Sequence, residues 1–173
     1  MNHSRVEAAW AVLHEVLDPE VPALSVCDLG IVRDVREADG GSLEVVLTPT
    51  YSGCPATEVI ERSVLEALQA AGLGPAVART QRSPAWTTDW ISAEGRRKMR
   101  EYGIAPPGAA HLADGAVPIR MVRGTSRVNA VSVECPRCGS AQTERLSAFG
   151  STACKSLYRC LACREPFEHF KPL

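Results

Sequence analysis

Apolar side chains recur at Val6, Trp10, Leu13 and Leu17, a spacing that puts them on one face of an amphipathic helix. The pattern predicts a helix over residues 5–17, stopped by Asp18-Pro19. From residue 29 the period shortens to two. Leu29, Ile31, Arg33 and Val35 then read as a strand over 29–35. Asp39-Gly40-Gly41 signals a hairpin, and Leu43, Val45 and Leu47 line one face of the returning strand. Pro55 suits the first position of a second helix, where its missing N–H costs nothing. Ile60, Val64 and Leu68 form that helix's apolar stripe, and Gly72, Gly74 and Pro75 end it. A short strand is predicted over 76–82. A third helix follows over 93–102, capped by Ser92 and closed by Gly103. Gly95 is out of place in it, because glycine weakens a helix interior.

The remaining chain is more broken. Residues 104–130 are rich in Ala, Gly and Pro and poor in apolar anchors, which reads as a linker with one strand at 117–122. Short strand patterns at 131–134, 143–146, 156–159 and 167–170 surround two cysteine pairs. The predicted architecture is therefore α/β. A small α/β sandwich over 1–103 runs helix–strand–strand–helix–strand–helix, and a β zinc ribbon over 131–173 follows the linker.

The 173 residues accommodate one domain of ~100 residues and one small one. Residues 1–103 carry 15 acidic and 10 basic side chains, and residues 104–173 carry 5 and 9. A mildly basic tail on an acidic body suits protein docking and lacks the concentrated basic face of a nucleic-acid binder. Residues 1–20 include Arg5, Glu7, Glu15, Asp18 and Glu20, so they hold no apolar signal-peptide core. No run approaches the ~20 apolar residues of a membrane span. Seven cysteines at this density suit a reducing cytoplasm with free thiols better than a disulfide scaffold.

Four of those cysteines, Cys135, Cys138, Cys160 and Cys163, form two CxxC pairs with 21 residues between the inner ones, slightly beyond the usual ~15–20 of such zinc sites. Two knuckles of this kind close a tetrahedron of thiolates around one ion, a structural arrangement with no open position for water. Iron in a rubredoxin-like site suits the same donors. Arg137, Lys155, Arg159 and Arg164 are close enough in sequence to offset the charge of the site. Cys154 is a fifth cysteine that one ion does not need. It reads either as a small buried loop residue or as a thiol tuned by Lys155 and the metal.

Cys54, ahead of the second helix, is the candidate reactive or metal-donating thiol. A position at the N-cap would favour its thiolate, and a plain cap without chemistry is the alternative. Asp18, Glu20 and Asp28 form an acidic cluster that could act as acid–base groups or merely organise turns. Cys27 sits in an apolar run and reads as core. Trp86 and Trp90 are possible interface anchors or packing residues. No complete Ser–His–Asp or Cys–His–Asp set is visible, so catalysis by the chain itself is not expected.

The segments D-P-E-V-P at 18–22, D-L-G-I-V at 28–32 and T-P-T-Y-S-G-C-P-A at 48–56 resemble the SufT-like iron–sulfur-assembly domain. P-A-W-T-T-D-W-I at 84–91, G-I-A-P-P at 103–107 and the C-terminal segment with F-G-S-T-A-C-K at 149–155 are similar to one branch of it, the PaaD accessory components of phenylacetyl-CoA epoxidase systems. The resemblance covers nearly the whole chain. It implies a part in aerobic phenylacetate breakdown, where a di-iron oxygenase adds one oxygen atom to the ring of phenylacetyl-CoA. In such systems an iron–sulfur flavoprotein reductase supplies electrons. The PaaD component is then an accessory protein that assists iron or iron–sulfur maturation of these partners. Cys54 matches the assembly domain's cysteine, and Asp18, Glu20 and Asp28 match its acidic positions. Cys27 stands where an aliphatic residue is usual and takes no role.

Two functions follow as expectations. In one, Cys54 transiently holds iron or a cluster while structural zinc maintains the ribbon. In the other, the chain is a non-catalytic scaffold that binds partners through the ribbon and the Trp-rich segment. A thiol oxidoreductase would need a resolving cysteine or a base near Cys54. An open sheet edge leaves room for a homodimer.

Overall fold

A computed structural model describes residues 3–38, 40–51, 53–108 and 133–172. The predicted strand at 117–122 and most of the expected linker lie outside them. Helix α1 (His3–Leu13) is followed by β1 (Val32–Glu37), β2 (Leu43–Leu47), α2 (Thr57–Ala70) and β3 (Ala76–Thr80). Strands β1 and β2 pair antiparallel, and β2 and β3 pair parallel, in the order β1-β2-β3. Leu43, Val45 and Leu47 of β2 share one core with Ala9 and Leu13 of α1 and with Ile60, Val64 and Leu68 of α2. These buried positions are what the two hydrophobic periods encode.

Helix α1 ends four residues earlier than its apolar stripe predicts. The chain turns after Leu13, and Val16 N–H bonds to the Leu13 carbonyl in a tighter turn. Val16 then enters the core, while Leu17 is left exposed. Strand β1 begins three residues later than predicted, because Ser25 to Gly30 fold into a hydrogen-bonded turn. Its register shifts between Val32 and Asp34, a bulge that sets Arg33 with its guanidinium 3.6 Å from the centre of the Trp90 ring.

A short 3-10 turn (Thr88–Trp90) leads to α3 (Ala93–Tyr102), where Ser92 Oγ accepts from Gly95 N–H at 2.8 Å. Glycines at 30 and 95 let this element lie against the turn. A Cβ on Gly30 would fall 2.5 Å from the Trp90 carbonyl oxygen, and one on Gly95 would fall 2.8 Å from that of Asp28. Gly95 is thus required by packing rather than misplaced.

The second sheet takes its edge from the start of the expected linker. Strand β4 (Ile104–Ala105) pairs parallel with β7 (Pro166–Phe170), which pairs with β6 (Lys155–Cys160), which pairs with β5 (Thr143–Ser147). The ribbon also packs on the sandwich. Cys154 and Phe170 belong to the sandwich core, and Phe170 meets Trp86 with ring centroids 6.0 Å apart. Among the described residues no helix is long and apolar enough to cross a membrane.

Candidate functional site

The two cysteine knuckles have matching backbones. Cys135 N–H donates to the Ser140 carbonyl and Cys160 N–H to that of Glu165, at 2.9 and 3.0 Å. Gly139 and Arg164 follow the second cysteine of each pair with φ of 72° and 68°. The left-handed turn natural to glycine is therefore imposed on an arginine in the second knuckle. The four sulfurs lie within 4.8 Å of one another, with Cys135–Cys163 at 3.8 Å and Cys138–Cys160 at 3.6 Å. Zn–S bonds of ~2.3 Å in a tetrahedron put sulfurs about 3.8 Å apart, so the residues fit zinc. Of the four expected counter-charges, Lys155 bonds Glu168 and Arg159 bonds Glu144. Arg137 lies alongside Gly103.

A second group of donors lines a cleft beside the ribbon contact. Asp18, Glu20, Cys54 and Cys154 share it with apolar neighbours including Leu29, Leu47 and Phe170. The interior offers about 20 Å³ to the centre of a water-sized body, against the ~10–15 Å³ that one water requires. It suits a small occupant rather than an organic substrate. Asp18 Oδ1 accepts from the N–H groups of Glu20 and Val21 at 2.9 and 2.8 Å. This turn aims the loop at the cleft. Cys154 is 4% exposed. Thr152 Oγ1 lies 3.0 Å from its sulfur, and Glu20 Oε2 approaches to 3.9 Å.

The cleft shifts its groups toward their neutral forms. Burial raises the Asp18 carboxyl against the pull of the Val21 and Glu20 N–H groups. Burial and then the Asp18 charge raise Glu20. Burial also raises Cys54, with Glu20 and Asp18 adding to the shift and the Ala56 N–H opposing it. Cys154 is raised by burial and by Glu20, while Thr152 and Lys155 work the other way. Two thiols and two carboxyls facing one small space are stabilised in their charged forms by a cation.

Residues 122–171 match the family model for the PaaD zinc beta ribbon domain, and residues 6–79 match that for iron-sulfur cluster assembly protein. A protein of Escherichia coli (strain K12), named as the D component of a "Putative 1,2-phenylacetyl-CoA epoxidase", is 46% identical over 167 residues, 96% of this chain and 93% of its own. The chain belongs to the PaaD family. The Fe-S protein maturation auxiliary factor YitW of Bacillus subtilis (strain 168) is 32% identical over 102 residues, 59% of this PaaD chain and 92% of its own. The crystal structure of the domain of unknown function DUF59 from Bacillus anthracis aligns over 56% of this chain and 92% of that one, at 22% identity and a TM-score of 0.52. That likeness is one of fold.

Not every expected site residue of this PaaD chain reaches the cleft. Asp28 does not line it. Its Oδ2 lies 2.7 Å from Lys98 Nζ and accepts from Ser25 N–H, so it fixes α3 to the turn. Cys54 is not the N-cap of α2. The helix begins at Thr57, two residues past Pro55, with Ala56 as its cap residue. The backbone carbonyl of Cys54 accepts from Thr57 Oγ1 at 2.9 Å, and the Cys54 sulfur faces the Ala56 N–H. The expected lowering of its pKa is reversed by burial and the acidic neighbours. Burial, with the Asp28 charge, pushes Cys27 up to about 12, in keeping with a core thiol.

Trp86 is 5% exposed and donates to the Leu29 carbonyl at 2.9 Å, so it is an internal contact between sandwich and ribbon rather than a free anchor. Trp90 is partly exposed and lines a groove with Arg33, Arg36 and Arg79. Cys154 joins the cleft although sequence reasoning keeps it out of the candidate site. Its placement beside Glu20 depends on how two sheets pack, and the only local hint is a fifth cysteine in excess of the quartet.

Proposed function

We propose that the chain is an accessory subunit of a phenylacetyl-CoA ring-epoxidising system and assists iron or iron–sulfur maturation of its partners. The observation that carries this reading is the cleft. It offers sulfur and carboxylate donors, with Cys54 among them, in a space sized for an ion. A borderline-soft cation such as Fe(II) suits that mixture. The family models and the names of the two relatives support the same direction. The cargo would be held at Cys54 and passed on, with the oxygenase and the iron–sulfur flavoprotein reductase as the clients. The quartet has no open position and would hold a structural zinc that keeps the ribbon folded.

Replacing Cys54 by Ser in cells that degrade phenylacetate tests the reading. The expected result is lost ring epoxidation with the partner subunits still co-purifying. Normal epoxidation would contradict it.

A scaffold role is supported by one observation. Leu146, Phe149 and Leu161 of the ribbon are exposed large apolar side chains, which suits partner docking. On that reading Cys54→Ser is silent, and polar substitutions at these three positions release the partners.

A further inference from the structure

We propose that Cys54 and Cys154, together with the Glu20 carboxylate, form a second metal site for one thiophilic divalent cation, so that the ribbon supplies a ligand to the cargo site. The inference rests on the maturation reading and deepens it. It gives Cys154 a use that the zinc quartet does not, and it makes the site incomplete in a sandwich without a ribbon.

The donors come from separate parts of the chain. Glu20 lies in the turn after α1, Cys54 precedes α2, and Cys154 precedes β6 in the ribbon. Two ligands bound at ~2.3 Å (sulfur) and ~2.1 Å (oxygen) to one tetrahedral ion stand about 3.6 Å apart. The Cys154 sulfur and Glu20 Oε2 are already 3.9 Å apart. Asp18 lines the same cleft and shapes it: its Oδ1 accepts from the N–H groups of Glu20 and Val21, which holds the Glu20 turn against the cleft. Lys155 steadies the arrangement from the ribbon side. Its Nζ is 3.4 Å from the Glu20 carbonyl oxygen and 3.0 Å from Glu168 Oε2. Among the described residues the quartet alone has its donors gathered as tightly as a permanent site demands. The looser cleft suits an ion that must leave again.

The test uses the zinc-saturated full chain and Co²⁺ as probe, without oxygen. The expected result is uptake of one cobalt per chain with thiolate-to-cobalt charge-transfer absorption and no loss of zinc. Cys54→Ser and Cys154→Ser should each weaken uptake by ~10-fold or more and lower the charge-transfer band. Glu20→Gln should weaken uptake while the band persists. Because Cys154 is buried, a wild-type measurement accompanies the variants: X-ray absorption of the bound cobalt should show two sulfur ligands. No cobalt uptake by the wild type, or a single sulfur ligand, would overturn the proposal. If Cys154→Ser titrates like wild type while Cys54→Ser does not, the ribbon ligand is refuted and the maturation reading survives. That reading falls separately, if Cys54→Ser leaves epoxidation intact in cells.

Discussion

His169 is 8% exposed on β7, with Ser156 Oγ 3.4 Å from its Nδ1 and the Tyr158 ring set edge-on at 5.5 Å. Burial pulls its pKa from 6.5 down to about 4. Between those values the unfolded chain binds a proton that the folded chain refuses, so stability falls as pH falls. The full difference is roughly 3 kcal/mol below both values. His169→Phe should flatten this part of the stability curve in denaturant titrations at pH 7, 6, 5 and 4 relative to wild type. Parallel curves would mean that the imidazole is not held neutral. Asp18 and Glu20 have raised pKa values and the opposite sign, favouring the fold at the acid end. Comparing the two proteins isolates the histidine.

At the scale of elements, Gly95 sets two effects against each other. Alanine is favoured over glycine in a helix interior by ~1 kcal/mol. The added Cβ would sit 2.8 Å from the Asp28 backbone oxygen and 3.2 Å from an Ile91 methyl. Backbone cannot give way cheaply, so Gly95→Ala should be net destabilising by about 1–2 kcal/mol, read from the urea midpoint. A stabilised variant would show that α3 does not lie on the turn at 25–30. The same contact explains what the sequence conceals. Local patterns are enough for β2, for the buried stripe of α2 and for α3 with its Ser92 cap, because each is set by residues a few positions apart. The ends of α1 and β1 depart from their local patterns because Val16 and the turn at 25–30 answer to tertiary packing. Proline at 55 does suit a helix start, but the helix forms only from Thr57, where Thr57 Oγ1 and N–H both bond the Cys54 carbonyl.

Across the whole molecule, the zinc site and the cleft are linked through the ribbon. The four sulfurs hold the knuckles, while Cys154 and Phe170 of the same ribbon pack into the sandwich. Structural zinc contributes an apparent ~10–16 kcal/mol in small domains. Cys160→Ser should therefore lose the zinc, unfold the ribbon and expose Trp86, seen as a red shift of tryptophan emission. Unchanged zinc would refute the ligand assignment. The quartet is legible from spacing alone, since its chemistry is carried in two short motifs. The cleft is legible by halves. Cys54, Asp18 and Glu20 stand out in the sequence as chemistry-bearing residues. Asp28 shares their acidic motif without sharing the cleft, and Cys154 shares the cleft without the motif, because sequence distance says nothing of which sheet will cover which loop.

The central claim, that the thiol at Cys54 serves the cofactors of partner proteins, is tested most directly by the iron content of the reductase. The reductase is purified from cells in which this chain carries Cys54→Ser, with the zinc content of the variant measured in parallel. The expected result is a reductase present at normal amount but depleted in iron–sulfur cluster, beside a variant that keeps its zinc. A fully loaded reductase in those cells would contradict the claim.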